Sequence, residues 1–148
     1  MSNYLYMLVG IPASGKSTLA GKLRLGGCNV VSSDEVRKEL GCLTDMSRNS
    51  EVFSIVKRRV AEGLKTGNTV LDATNTSISG RKEYIEIAKS LGCNTIALFM
   101  DKPLSQCKLN NKFRDNEIPE TVIESMHDRL QPPTIAEGFE QVITYSKQ

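Results

Sequence analysis

At 148 residues, with 39% hydrophobic and 24% charged side chains, 11 glycines and 5 prolines, the chain has the composition of one compact domain, not of a disordered or fibrous segment. A net charge of +2 is too balanced for a protein that wraps nucleic acid through charge alone, although a local basic cleft for a short single strand stays open. Four scattered cysteines without zinc or redox spacing, no apolar run of membrane length and no secretory signal in MSNYLYMLVG point to reduced thiols, no membrane and the cytoplasm.

Tyr4–Val9 is a short apolar run of branched and aromatic residues and predicts a strand. The glycine-rich turn after it, followed by Ser17–Leu25, predicts a loop and then a helix. Asn29–Ser32, built around Val30 and Val31, predicts a second strand. Ser32 and Glu35 have the spacing of a capping box, which starts a helix that runs to about Leu40 and stops at Gly41. Between Arg48 and Lys65, Phe53, Val56, Val60 and Leu64 recur at helical spacing, with Lys57, Arg58 and Arg59 on the opposite side. Asn68–Asp72, Asn94–Met100 and Gln141–Tyr145 predict further strands, separated by the helical stretches Arg81–Leu91, Leu104–Phe113 and Glu120–Leu130. Neither a repeat nor a linker interrupts this alternation, so residues 1–148 read as a single domain. Strands alternating with helices imply right-handed crossovers and an α/β fold, with a mainly parallel sheet of about five strands between helical layers. Ligands of such sheets sit beyond the carboxyl ends of the strands. The search for function narrows to the loops after Val9, Ser32, Asp72 and Met100.

The first loop, Gly10-Ile-Pro-Ala-Ser-Gly15-Lys16-Ser17, matches the phosphate-binding pattern GxxxxGK[ST] between a predicted strand and helix. Its glycines let backbone N–H groups turn inward and form a nest at a helix N-terminus, whose partial positive charge also favours an anion. Gly10, Ala13, Ser14, Gly15, Lys16, Ser17 and Thr18 are the candidate cradle for the donor phosphates of ATP. Lys16 is placed to reach the β- and γ-phosphates, and the Ser17 hydroxyl to ligate Mg²⁺.

The second loop, Ser32-Ser33-Asp34-Glu35-Val36-Arg37, fits either a plain N-cap with acids in the first turn or a catalytic site. Asp34 and Arg37, three apart at a helix start, share a face, and the second strand ends near the γ-phosphate if it neighbours the first. A carboxylate there accepts the proton of an attacking hydroxyl, and an arginine beside it holds an anionic substrate group. In the third loop, Asp72 is either a turn cap or an acid that holds the metal through water, and Thr74 and Asn75 offer neutral groups to a substrate phosphate. Arg81 is either a ligand or a solvated helix residue paired with a nearby acid. The fourth stretch ends in Lys108, Lys112 and Arg114 before the break Asn116–Pro119. Phosphoryl transfer draws on a mobile cation, a helical hairpin over residues 104–131 is where a lid would lie, and Arg114 is the candidate. His127, the only histidine, reads as a packing or surface residue. Residues 131–139 read as a rigid loop.

Taken together, GIPASGKST, SSDEVR, LDATNTSISGR, CKLNNKFR and PPTIAEGF resemble, in order and rough spacing, the 5′-hydroxyl polynucleotide kinases: phage enzymes, bacterial RNA-repair enzymes and the kinase half of mammalian polynucleotide kinase/phosphatase. The resemblance spans nearly the whole chain. It implies a P-loop kinase fold with a helical lid, ATP as donor, Mg²⁺ as cofactor and a 5′-hydroxyl end of single-stranded or frayed RNA or DNA as acceptor. It further implies Asp34 as general base, Arg37 and Thr74 on the phosphate 3′ to the acceptor nucleoside, and Arg114 on the donor phosphates. The sequence departs from the family at Asn110, where several members carry a second lid arginine. A phosphatase or ligase partner is expected on another chain. Other acceptors, such as sugars, antibiotics, nucleosides or peptidoglycan precursors, share the phosphate loop. A GTPase-type switch needs DxxG and NKxD motifs, whereas here Asp72 precedes Ala-Thr-Asn and Asn111-Lys112 precedes Phe-Arg-Asp.

Overall fold

In the computed structural model, which describes residues 2–43, 45–115 and 117–146, five strands alternate with six α-helices. The strands are β1 (Tyr4–Val9), β2 (Asn29–Ser32), β3 (Thr69–Asp72), β4 (Asn94–Met100) and β5 (Gln141–Tyr145). The helices are α1 (Lys16–Leu25), α2 (Ser33–Leu40), α3 (Asn49–Leu64), α4 (Ile78–Ser90), α5 (Leu104–Asn111) and α6 (Glu120–Arg129). All strand pairs are parallel, in the order β2-β3-β1-β4-β5. The second strand therefore does not neighbour the first, because β3 lies between them. Its carboxyl end still reaches the site because Ser32 pairs in register with Asp72 of β3.

Side chains alternate across a strand, so each central strand serves two cores. Leu5 and Met7 of β1, Leu71 of β3 and Ala97 of β4 face α2, α3 and α4, where Val36, Val56, Val60 and Ile85 meet them. Leu8, Val70, Ile96 and Leu98 point the other way and pack against Ala20 and Leu23 of α1. Burial on both faces is why β1 is an unbroken apolar run instead of an alternating one. Each fully buried Leu or Val there contributes about 1.5–3 kcal/mol. A third, small cluster of Ile11, Cys107 and Ile123, with Ile118 and Met126 against it, seats the α5–α6 hairpin on the phosphate loop.

Local chemistry sets the helix ends. Ser32 accepts the Glu35 amide at 3.2 Å, and Gly41 closes α2 with a φ of 70° that a side chain would strain. α4 starts three residues earlier than the periodicity predicts, because Ser77 accepts the Gly80 amide at 3.0 Å and caps it. α5 stops at Asn111, short of the predicted Phe113, because the Asn111 side chain donates to the Ile118 carbonyl at 2.6 Å and accepts its amide at 3.0 Å. Those two bonds build the hairpin turn; Asn116, inside the predicted break, lies outside the described residues. No helix among the described residues is long and apolar enough to cross a membrane.

Candidate phosphoryl-transfer site

Between β1 and α1 the chain folds into a nest. Ala13 and Gly15 adopt φ values of 65° and 98°, which turns successive amides to one side. The N-cap of α1 has no side-chain hydrogen bond, and no acid occupies the first turn, so the orphan N–H groups of that helix end remain open to an anion. Gly10 is sterically required: a Cβ there would lie 2.7 Å from Ser14 Oγ and 3.0 Å from Met100 Cβ. The Ser14 hydroxyl is buried without a partner among the described residues.

Lys16 is only 9% exposed, and its ammonium donates to the Ile11 carbonyl at 3.0 Å. Burial pushes its pKa down to about 8, while the Asp72 and Asp34 carboxylates pull it up and the Arg114 guanidinium pushes it further down. Four groups from four different loops thus act on one another electrostatically. Asp72 sits at the end of β3, and burial raises its carboxyl above the usual range, with Lys16 opposing and Asp34 and Glu35 reinforcing. The Ser17 hydroxyl, set against the Asp72 carboxylate, also favours the ionised form. A hydroxyl beside a carboxylate is the hard oxygen pair that suits Mg²⁺ held mainly by phosphate and water. It suits no all-protein cage, and the described residues contain no group of three or more His, Cys, Asp or Glu able to hold a metal.

On the other side of Asp72, α2 presents Asp34 exposed to solvent and Arg37 buried at 6% exposure. The Arg37 guanidinium lies 5.8 Å over the Phe53 ring and donates through Nη2 to the Asn49 side chain, but its Nη1 is buried with no partner among the described residues. Asn49, Phe53 and Lys57 of α3 line a groove of about 480 Å³ next to it. An orphan donor on a buried cation is a costly arrangement that an anionic ligand relieves.

After β3, two side chains find partners that the sequence did not reveal. Asn75 takes a φ of 49°, and its side-chain amide donates to the Leu8 carbonyl at 2.6 Å and to the Ala73 carbonyl at 3.4 Å, which ties it to β1. Arg81 is not solvated: it is fully buried and pairs with Glu137 at 2.8 Å. The half-buried Thr74 stands beside the phosphate loop, its carbonyl accepting the Gly10 amide at 3.1 Å.

The hairpin of α5 and α6 closes the third side. Lys108 is committed to Glu124 across the hairpin, whereas Arg114, just past α5, acts on Lys16. Asn110 donates to the Ala13 carbonyl at 3.1 Å, its own oxygen held by Gln106 at 2.8 Å. His127 lies half-exposed beside Asp128 on α6. A cleft of about 690 Å³ runs from Gly15 and Thr18 past Lys22 to Lys102, Gln106 and Tyr145. Lys102 and Tyr145 line this cleft without belonging to any motif; their only sequence signal is position, at the carboxyl ends of β4 and β5.

The profile of the family described as AAA domain matches residues 5–133, and the chain belongs to that family. A bifunctional polynucleotide phosphatase/kinase of Schizosaccharomyces pombe is 29% identical over 144 residues, which covers 93% of this chain and 32% of that protein. An L-seryl-tRNA(Sec) kinase of Methanococcus maripaludis is 26% identical over 145 residues, covering 87% of this chain and 53% of that one. The chain therefore spans about a third to a half of these relatives. Among solved structures, an APS kinase of Mycobacterium tuberculosis in complex with AMPPNP and APS aligns with a TM-score of 0.67 and 20% identity over 99% of this chain and 91% of that one. The fold is that of the P-loop kinases.

Proposed function

We propose that the chain is an ATP-dependent polynucleotide kinase that transfers the γ-phosphoryl group to a 5′-hydroxyl end of RNA or DNA. The observation that carries this reading is Arg37: a buried guanidinium whose Nη1 has no partner among the described residues, one helical turn from the exposed Asp34 carboxylate that acts on Lys16 of the phosphate loop. A small neutral alcohol has no use for it. A strand that carries a phosphate 3′ to its first nucleoside does, and the likeness to the fission-yeast phosphatase/kinase supports the same acceptor.

In the proposed reaction the nest amides and Lys16 hold the donor phosphates, with Thr18 at the α-phosphate end and the nucleoside in the cleft toward Tyr145. Arg114 contributes a further positive charge as negative charge spreads over the transferring oxygens. Arg37 and Thr74 fix the acceptor phosphate, which sets its 5′-oxygen in line with the γ-phosphorus. Asp34 orients that hydroxyl and takes its proton as the new P–O bond forms and the bond to the leaving ADP oxygen breaks. Ser17 and Asp72 would hold Mg²⁺, which would supply charge neutralisation of the phosphates.

A second reading, a small-molecule or other non-nucleic-acid hydroxyl as acceptor, draws on the seryl-tRNA kinase relative, whose name gives a seryl group as acceptor. Acceptor competition separates the two. Unlabelled 5′-hydroxyl dinucleotide should suppress transfer to a labelled oligonucleotide, whereas nucleosides without a 3′-phosphate should compete at least tenfold less well, the scale of one charge-assisted contact. Equal competition by nucleosides or sugars would favour the second reading.

A further inference from the structure

Residues 131–139 and Arg81 have no place in the reaction as described, yet Arg81 is the most buried charged residue among the described residues and its partner lies in that segment. Arg81 is 0% exposed and Glu137 5%, and the two form a fork, Nε to Oε1 at 2.8 Å and Nη2 to Oε2 at 2.9 Å. The remaining nitrogen, Nη1, donates to the backbone carbonyl of Asn75 at 2.7 Å. Glu137 is itself fixed, since its Oε2 also accepts the Thr134 amide at 2.9 Å in a capping box. Two more bonds run between the same segments, the Gln131 amide to the Thr76 carbonyl and the Ile78 amide to the Gln131 side chain, both at 2.8 Å.

On its other side, the same short segment is fastened to the donor machinery. The Asn75 amide grips the Leu8 carbonyl, and the Thr74 carbonyl accepts the Gly10 amide. Asn75 sits in the left-handed region, which a non-glycine residue occupies only when its surroundings hold it there. A buried ion pair is a poor source of stability, because desolvation offsets most of the attraction and two apolar side chains would serve as well. What apolar side chains cannot supply is a rigid fork that holds one carboxylate and one distant carbonyl together.

We infer that Arg81 and Glu137 are positioning residues for the acceptor: the pair fixes the backbone at Asn75 and thereby aims Thr74 at the acceptor phosphate beside the phosphate loop. The inference rests on the reading that Thr74 contacts that phosphate. It gives the 131–139 segment a role at a site that it does not itself touch.

The test compares Arg81→Lys and the double variant Arg81→Met/Glu137→Met with the wild-type protein. Lysine keeps a charge for Glu137 but cannot span to Asn75, and the double variant leaves no charge buried alone. In both, KM for a 5′-hydroxyl dinucleotide should rise about tenfold, while KM for ATP and kcat stay within about twofold. Amide hydrogen exchange, which needs no activity, should quicken at Gly10 and Gln131 by about tenfold or more and stay unchanged in β4. Unchanged exchange at Gly10 and Gln131, equal losses in both KM values and kcat, or failure of both variants to fold would overturn the inference. If the wild-type protein phosphorylates no 5′-hydroxyl strand, the proposed acceptor falls, and exchange alone decides whether the pair sets the loop.

Discussion

Replacing Lys16 with methionine should abolish phosphoryl transfer and at the same time make the free protein more stable near pH 7. The ammonium is buried, and its pKa stands at about 8 against an ordinary 10.5, a gap worth about 3 kcal/mol of penalty for keeping it charged in the fold. Methionine preserves most of the apolar stem but loses the bond to the Ile11 carbonyl, at about 1 kcal/mol, which leaves a net gain of about 2 kcal/mol. The sign has a pH signature. Between about 8 and 10.5 the unfolded chain still binds the proton that the folded chain has released, so wild-type stability rises with pH through that window and the advantage of the variant shrinks. Tyr84, pushed up to about 12, is common to both proteins, so the difference between them isolates Lys16. Urea unfolding of both proteins from about pH 7 to about pH 10 measures it. A variant less stable than wild type at neutral pH, or a difference that does not change across the window, would refute the burial argument.

Three further outcomes follow from the same geometry. Asp34→Asn should lower kcat by about 10²–10⁴ and leave ATP affinity within about twofold, measured by transfer assay and calorimetry. Gly10→Ala drives a Cβ to 2.7 Å from Ser14 Oγ and 3.2 Å from the Met100 carbonyl, so a melting curve should show a loss of about 1–3 kcal/mol, with nucleotide affinity falling at least tenfold. In pH profiles, kcat/KM for ATP should decline above about 8 as free Lys16 loses its charge, while kcat stays level to higher pH because bound phosphates retain the proton.

The parts of the structure that were legible in the sequence are those set by local physics. The phosphate loop could be read because glycine conformations, a helix N-terminus and a lysine at fixed spacing together make an anion cradle and little else. The strands could be read because burial on both faces leaves an unbroken apolar run. What stayed hidden depends on partners far apart in the chain. Arg81 looks like any exposed helix residue until Glu137, 56 positions later, is placed beside it. The Asn75 amide is claimed by Leu8, 67 positions earlier. Strand order is equally nonlocal: nothing in the Asn29–Ser32 run says that β3 will lie between it and β1. Asn110 was visible as a departure from a pattern, but its bond to the Ala13 carbonyl joins the lid to the phosphate loop across 97 positions of chain.

The central claim is the acceptor. With Mg²⁺ and γ-labelled ATP, a short oligonucleotide bearing a 5′-hydroxyl should take up label, and the same strand already 5′-phosphorylated should not, tested as RNA and as DNA. Label on neither strand, from protein that still binds ATP, would contradict the proposed acceptor and leave the phosphate loop serving a different hydroxyl.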